Sequence, residues 1–127
     1  MTRRTRQLSF QSTIDWDVLF ERAEAVVNET IASLPDDVKT EATQVPCLFR
    51  QWARDIYGRP ALGLYTAFQP DRISTEGGLI FLFVGDLQWH CAQAGLNFDD
   101  EVRKTYLHEL GHHLGWDEDD LRNRGLA

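Results

Sequence analysis

His108-Glu109-Leu110-Gly111-His112-His113-Leu114-Gly115-Trp116-Asp117-Glu118-Asp119 decides how this chain is read. Two histidines four apart lie one turn above the other on a single helix face. That spacing lets two imidazoles hold one Zn²⁺ and leaves Glu109 between them free to work on a water that the metal activates. A catalytic zinc takes three protein ligands and keeps one position open. The third ligand therefore has to arrive after the helix ends, and Gly115 can supply the left-handed turn that brings it back. Asp117, Glu118, Asp119 and Asp120 then lie within reach. Glu118 stands ten residues beyond His108, where the longer H-E-x-x-H-x-x-G-x-x-H pattern places its last ligand. A carboxylate there suits zinc, so the order of preference is Glu118, then Asp117, then Asp119.

The helix that carries the motif is expected to open at Asn97-Phe98-Asp99-Asp100, where side-chain oxygens cap and negative charge meets the positive end of the dipole. On a wheel, Val102, Tyr106, Leu107, Leu110 and Leu114 gather on one side. Glu101, Thr105, His108, Glu109 and His112 gather on the other. The apolar stripe would fix the helix to a core while the histidines and Glu109 point elsewhere. Beyond Gly115, Asp117 to Leu126 reads as a turn and a short terminal helix.

Upstream, Ile14 to Leu34 has helical spacing, with Val18, Ala25, Val26 and Ala32 on one face and Leu19, Phe20 and Val27 beside them. Ser12 or Thr13 can cap it and Pro35 closes it. Asp36 to Thr43 predicts a second short helix. Val45 to Trp52 and Ala61 to Phe68 suit strands, joined by a turn or loop over Ala53 to Pro60. After a polar loop from Pro70 to Gly78, the unbroken apolar run Leu79 to Val84 predicts a strand covered on both faces. Asp86 is expected to cap a helix from Leu87 to Ala94, which Gly95 stops.

The 127 residues make one domain of ordinary globular composition, 43% hydrophobic and 26% charged. A net charge of -7 argues against nucleic acid as the main partner and favours cations. No apolar run is long enough for a membrane span. Residues 1–13, opening Met1-Thr2-Arg3-Arg4-Thr5-Arg6, read as a disordered basic tail, since no apolar run follows to make an export signal. Residues 14–127 form the single domain. Cys47 and Cys91 read as free thiols in a reducing compartment, with the cytoplasm as the expected location.

His108-Glu109-Leu110-Gly111-His112-His113-Leu114-Gly115, followed by Trp116-Asp117-Glu118-Asp119-Asp120-Leu121, resembles the signature of the small bacterial zincin-like metallopeptidase family. Leu62-Gly63-Leu64-Tyr65 resembles that family's L-G-L-Y strand, Pro70-Asp71-Arg72-Ile73 the loop after it, and Leu79 to Phe83 its next strand. The likeness runs from Trp16 to Leu121, and its C-terminal motif is the specific part. It implies an α+β fold, a minimal zincin with an N-terminal helix, a small mixed sheet and a C-terminal metal-binding helix. It also implies an acidic third ligand and a peptide or protein substrate that pairs with a strand edge beside the metal helix, for which it points to Leu79 to Val84. Trp116 and the pair His90-Cys91 depart from the pattern, the first as a bulky residue that narrows the site.

His90 and Cys91 lack a partner at metal-binding spacing and read as fillers. His113 lies near Tyr106 on the wheel, turned away from His108, and reads as a packed residue. Tyr57, Tyr65 and Arg72 are candidates to stabilise an oxyanion, and the four tryptophans read as core and interface material. Three functions fit: a zinc peptidase, a metal-stabilised module that binds peptide or protein without cutting it, and a hydrolase of a non-peptide amide. A structural zinc needs no free carboxylate between its ligands, so Glu109 favours chemistry.

Overall fold

The computed structural model describes residues 14–67 and 78–126. The expected basic tail, Ser12, Thr13, Arg72 and most of the Pro70–Gly78 loop lie outside the described residues, as does the side chain of Tyr57. Within the described residues, six helices and three strands follow in the order α1 (Trp16–Ala32), α2 (Asp36–Gln44), β1 (Cys47–Arg50), α3 (Arg54–Tyr57), β2 (Gly63–Thr66), β3 (Leu79–Phe83), α4 (Val84–Ala94), α5 (Phe98–Leu114) and α6 (Glu118–Asn123). The fold is α+β, as expected. None of the described helices is long and apolar enough to cross a membrane.

Helix α1 is capped by Asp15, whose carboxylate accepts from the Val18 N–H at 3.3 Å. Its buried face is Leu19, Ala23, Val26, Val27 and Thr30. The expected stripe through Val18, Ala25 and Ala32 is rotated outward, and Val18 is 57% exposed. Thr30 explains the difference. Its hydroxyl donates to the Val26 carbonyl at 2.7 Å, so the polar residue is satisfied within its own helix and can be buried.

The sheet has the order β1-β3-β2. β1 runs parallel to β3, pairing Cys47 with Ile80 and Phe49 with Leu82. β2 runs antiparallel, pairing Gly63 with Leu82 and Tyr65 with Ile80. Both strands are shorter than the sequence suggests, and the loop between them contains the single turn α3. β3 is the central strand, with Leu79, Ile80, Leu82 and Phe83 buried. Both of its edges are used, so the strand expected to receive a substrate cannot do so.

Helix α4 starts directly from β3, without a side-chain cap. Asp86, expected to cap it, lies inside its first turn and instead accepts from the Ala53 N–H at 2.8 Å. Burial pushes the Asp86 carboxyl up, and the bond from Ala53 opposes that rise. The neighbouring Gly85 N–H donates to the Gln51 carbonyl at 2.8 Å, and a Cβ at Gly85 would collide with that carbonyl and with Trp52. Thus the β3–α4 junction is fastened to the chain that leaves β1. Gly95 ends α4 in the left-handed region at φ 68°, as the sequence suggests.

Helix α5 runs through the middle of the molecule, touching α1, α4, α6, β2 and β3. Val102, Tyr106, Leu107 and Leu110 are buried in the core with Leu19, Val26, Ile80, Leu82 and Leu87. Outside this core, Arg22 bonds Asp99 at 2.6 Å, an exposed pair that contributes little. Cys47 and Cys91 are free thiols. Trp16 and Trp52 pack edge to face at 5.7 Å, whereas Trp89 is 42% exposed and so is not core material.

Tyr106 is fully buried, and its hydroxyl has no hydrogen-bond partner among the described residues. Burial pushes its phenol up, with Cys47 adding to the rise. Tyr106→Phe removes the orphan hydroxyl and keeps the ring. We expect it to stabilise the fold by about 1 kcal/mol, read as a higher denaturation midpoint at unchanged slope. A loss of stability would mean that the hydroxyl has a partner.

Candidate metal centre

Helix α5 is fixed at both ends. Asn97 caps its start, accepting from the Asp100 N–H at 3.0 Å. At the other end Gly115 takes φ 73°. Its N–H donates to the His112 carbonyl at 3.2 Å, and the Trp116 N–H donates to the Gly111 carbonyl at 2.8 Å. These two bonds make a Schellman motif, which turns the chain back toward the histidines. Gly111 lets that return succeed: Leu121 of α6 packs on it, and a Cβ there would sit 3.1 Å from the leucine methyl.

The polar side of α5 divides into two rows. Thr105, Glu109 and His113, four apart, face β2. A Cβ on Gly63 would lie 2.8 Å from Thr105 Cγ2 and 3.2 Å from Glu109 Cγ, so the bare glycine lets strand and helix approach closely. Two residues on, the Tyr65 hydroxyl meets His113 Nδ1 at 3.1 Å. Glu41 lies 3.8 Å from His113 Nε2. His113 is therefore a packing residue, as expected. Tyr65 supports it and does not reach the motif histidines by any hydrogen bond.

The second row is His108 and His112, half-exposed at 42% and 50% of their side chains. Their rings stand edge to face, centroids 4.6 Å apart. Glu109 has only 9% of its side chain exposed, and its Oε1 lies 3.2 Å from His112 Nδ1. The donor atoms of His108, Glu109 and His112 all fall within 4.8 Å of one another. Tetrahedral zinc at 2.0–2.1 Å from each ligand needs donors about 3.3 Å apart, a separation that small side-chain rotations reach. Two imidazoles and a carboxylate are also the donor chemistry zinc prefers, so the residues fit the ion.

Of the acids after the helix, Asp117 and Asp120 are engaged in a reciprocal capping box that starts α6, with bonds of 2.8 and 3.0 Å. Asp119 is paired with Arg122 at 2.9 Å. Glu118 turns the other way, placing Oε1 2.7 Å from His108 Nδ1. Trp116 is covered by Arg124, 3.9 Å from its ring centre, and does not line the cleft.

A cleft of about 300 Å³ runs along this face of α5 and is walled by Leu62, just before β2, by Gly63 of β2, by His90 of α4 and by Glu118. His90, read as a filler from sequence, is part of that wall, and only the packing of α4 against α5 brings it there. Glu101 and Lys104 line the same cleft. Glu101 was placed on the histidine side by helical spacing, a signal that in principle could have marked it as a site residue.

A short mixed sheet lying against a helix with an H-E-x-x-H segment, whose first histidine and glutamate line a cleft, defines the zincin class. The chain belongs to the zincin-like metallopeptidase family, whose profile matches residues 52–126, more than half of its length. The match takes in α3, β2, β3, α4, α5 and α6. No match is found among curated proteins.

Proposed function

We propose that this protein is a zinc-dependent peptidase. His108 and His112 hold the ion, with Glu118 as third ligand. The donor atoms of His108 and His112, within 4.8 Å of each other and of the Glu109 carboxylate beside the cleft, carry this reading, while Glu118 touches only His108 of the group. Bound there, zinc supplies Lewis acidity, which makes water a usable nucleophile near neutral pH and polarises the carbonyl to be attacked. Glu109 takes the proton of the attacking water and delivers it to the leaving amine. Its burial against Gly63 and Thr105 holds the carboxylate in place for that transfer.

Glu118 is preferred over Glu109 as the third ligand because it is 61% exposed and free to swing, already touches His108, and has no other bonded partner among the described residues. β2 is an outer strand of the sheet, and its Gly63 borders the cleft. An extended peptide adding beside Gly63 would be held by backbone bonds and carried past Glu109.

The cleft's small volume favours a second reading, a metal-stabilised module that binds peptide without cutting it. One experiment separates them: load the protein with zinc, measure the stoichiometry, and incubate it with a mixed peptide library. One equivalent of zinc and cleaved peptides support the peptidase. One equivalent and intact peptides leave the binding module, and no zinc uptake overturns both.

A further inference from the structure

Glu101 lies two turns before His108 on α5, about 10 Å along the helix axis. It lines the same cleft as His108 and Glu109. It is 8% exposed, has neither a hydrogen bond nor an ion pair among the described residues, and keeps its oxygens open to the cleft. A carboxylate with so little water around it gains from a cation brought into that cleft. Lys104, three residues on, is exposed and does not come within 4.0 Å of it. Glu101 also faces α4, where the Cys91 thiol is pushed up by burial first and then by Glu101.

We propose that Glu101 is the specificity-determining end of the cleft, where it receives the ammonium or guanidinium of a lysine or arginine flanking the bond to be cut. This deepens the peptidase reading and rests on it for the word "cut". A peptide held on β2 crosses the cleft at Leu62 and Gly63. From there a four-carbon lysine stem or an arginine can lie along Thr105 and present its charge to Glu101. The net charge of -7 draws cationic peptides toward the protein in the first place.

The test compares two ligands that differ only in a terminal ammonium, N-acetyl-lysine methylamide and N-acetyl-norleucine methylamide. Each is titrated into the ¹⁵N-labelled, zinc-loaded protein and followed by amide shifts at Glu101, Lys104, Thr105 and Gly63. The lysine compound should bind about tenfold more tightly, and the difference should vanish in Glu101→Gln. Equal affinities in the wild type overturn the proposal without any variant having to fold. So does a lysine preference that survives undiminished in a folded Glu101→Gln protein. Cleavage of a peptide mixture is a separate readout. Cleavage without preference for lysine or arginine overturns the selectivity and leaves the peptidase standing. An ammonium preference with no peptide cut supports the cation site and sinks the peptidase.

Discussion

Glu109→Gln should retain zinc at close to wild-type affinity and lose peptide hydrolysis by about 10²–10⁴-fold. Glutamine keeps the shape that packs against Gly63 and Thr105 and can still hydrogen-bond the His112 ring, which sits 3.2 Å from Glu109 Oε1. What it cannot do is take a proton from water and hand it on. The histidines and Glu118 are untouched, so metal binding should stay. Glu118→Ala gives the opposite pattern, weakened zinc binding with the base intact. Zinc content and cleavage measured on both variants separate the roles of the two carboxylates. If Glu109→Gln loses the metal while Glu118→Ala keeps it, Glu109 is the ligand and no general base remains in the account.

Gly63→Ala is the second large effect. The new Cβ would meet Thr105 Cγ2 at 2.8 Å, the Phe81 carbonyl oxygen at 3.1 Å and Glu109 Cγ at 3.2 Å. Phe81 belongs to the central strand, so its carbonyl has little room to give. Either β2 lifts from α5 or the Glu109 side chain turns. Overpacking of this kind costs about 1–3 kcal/mol, visible in chemical denaturation. Misplacing a reacting group by about 1 Å costs on the order of 10²-fold in rate, so activity should fall well beyond the loss of folded protein. Wild-type stability and activity in Gly63→Ala would mean that β2 does not press on the helix as described.

Much of helix α5 was legible in the chain. Asn97, Gly115 and the apolar stripe through Val102, Tyr106 and Leu110 are local signals, and the structure keeps them. The spacing of His108 and His112 is equally local. Spacing alone ranked Glu118 ahead of Asp117 and Asp119, but the capping box of Asp117 and Asp120 and the pair Asp119–Arg122 were not legible. Those contacts depend on where α6 starts.

Strand order was not legible. An apolar run such as Leu79 to Phe83 reads as buried whether its edges are paired or open, and pairing is settled only by β1 and β2 arriving from elsewhere. The same limit hid His90, which reaches the cleft because α4 leaves β3 at once, and Asp86, whose partner Ala53 lies 33 residues away. Gly63 was visible only as part of a family-like L-G-L-Y string. Its physical reason, the absence of a Cβ under Thr105 and Glu109, exists only once strand and helix are packed.

The coordination of zinc in the loaded protein, read by X-ray absorption at the metal edge, tests the central claim most directly. Two imidazole nitrogens from His108 and His112 and oxygen donors from Glu118 and water, at about 2.0–2.1 Å, are the predicted result. A sphere containing sulfur, or one closed by four protein ligands, would contradict it.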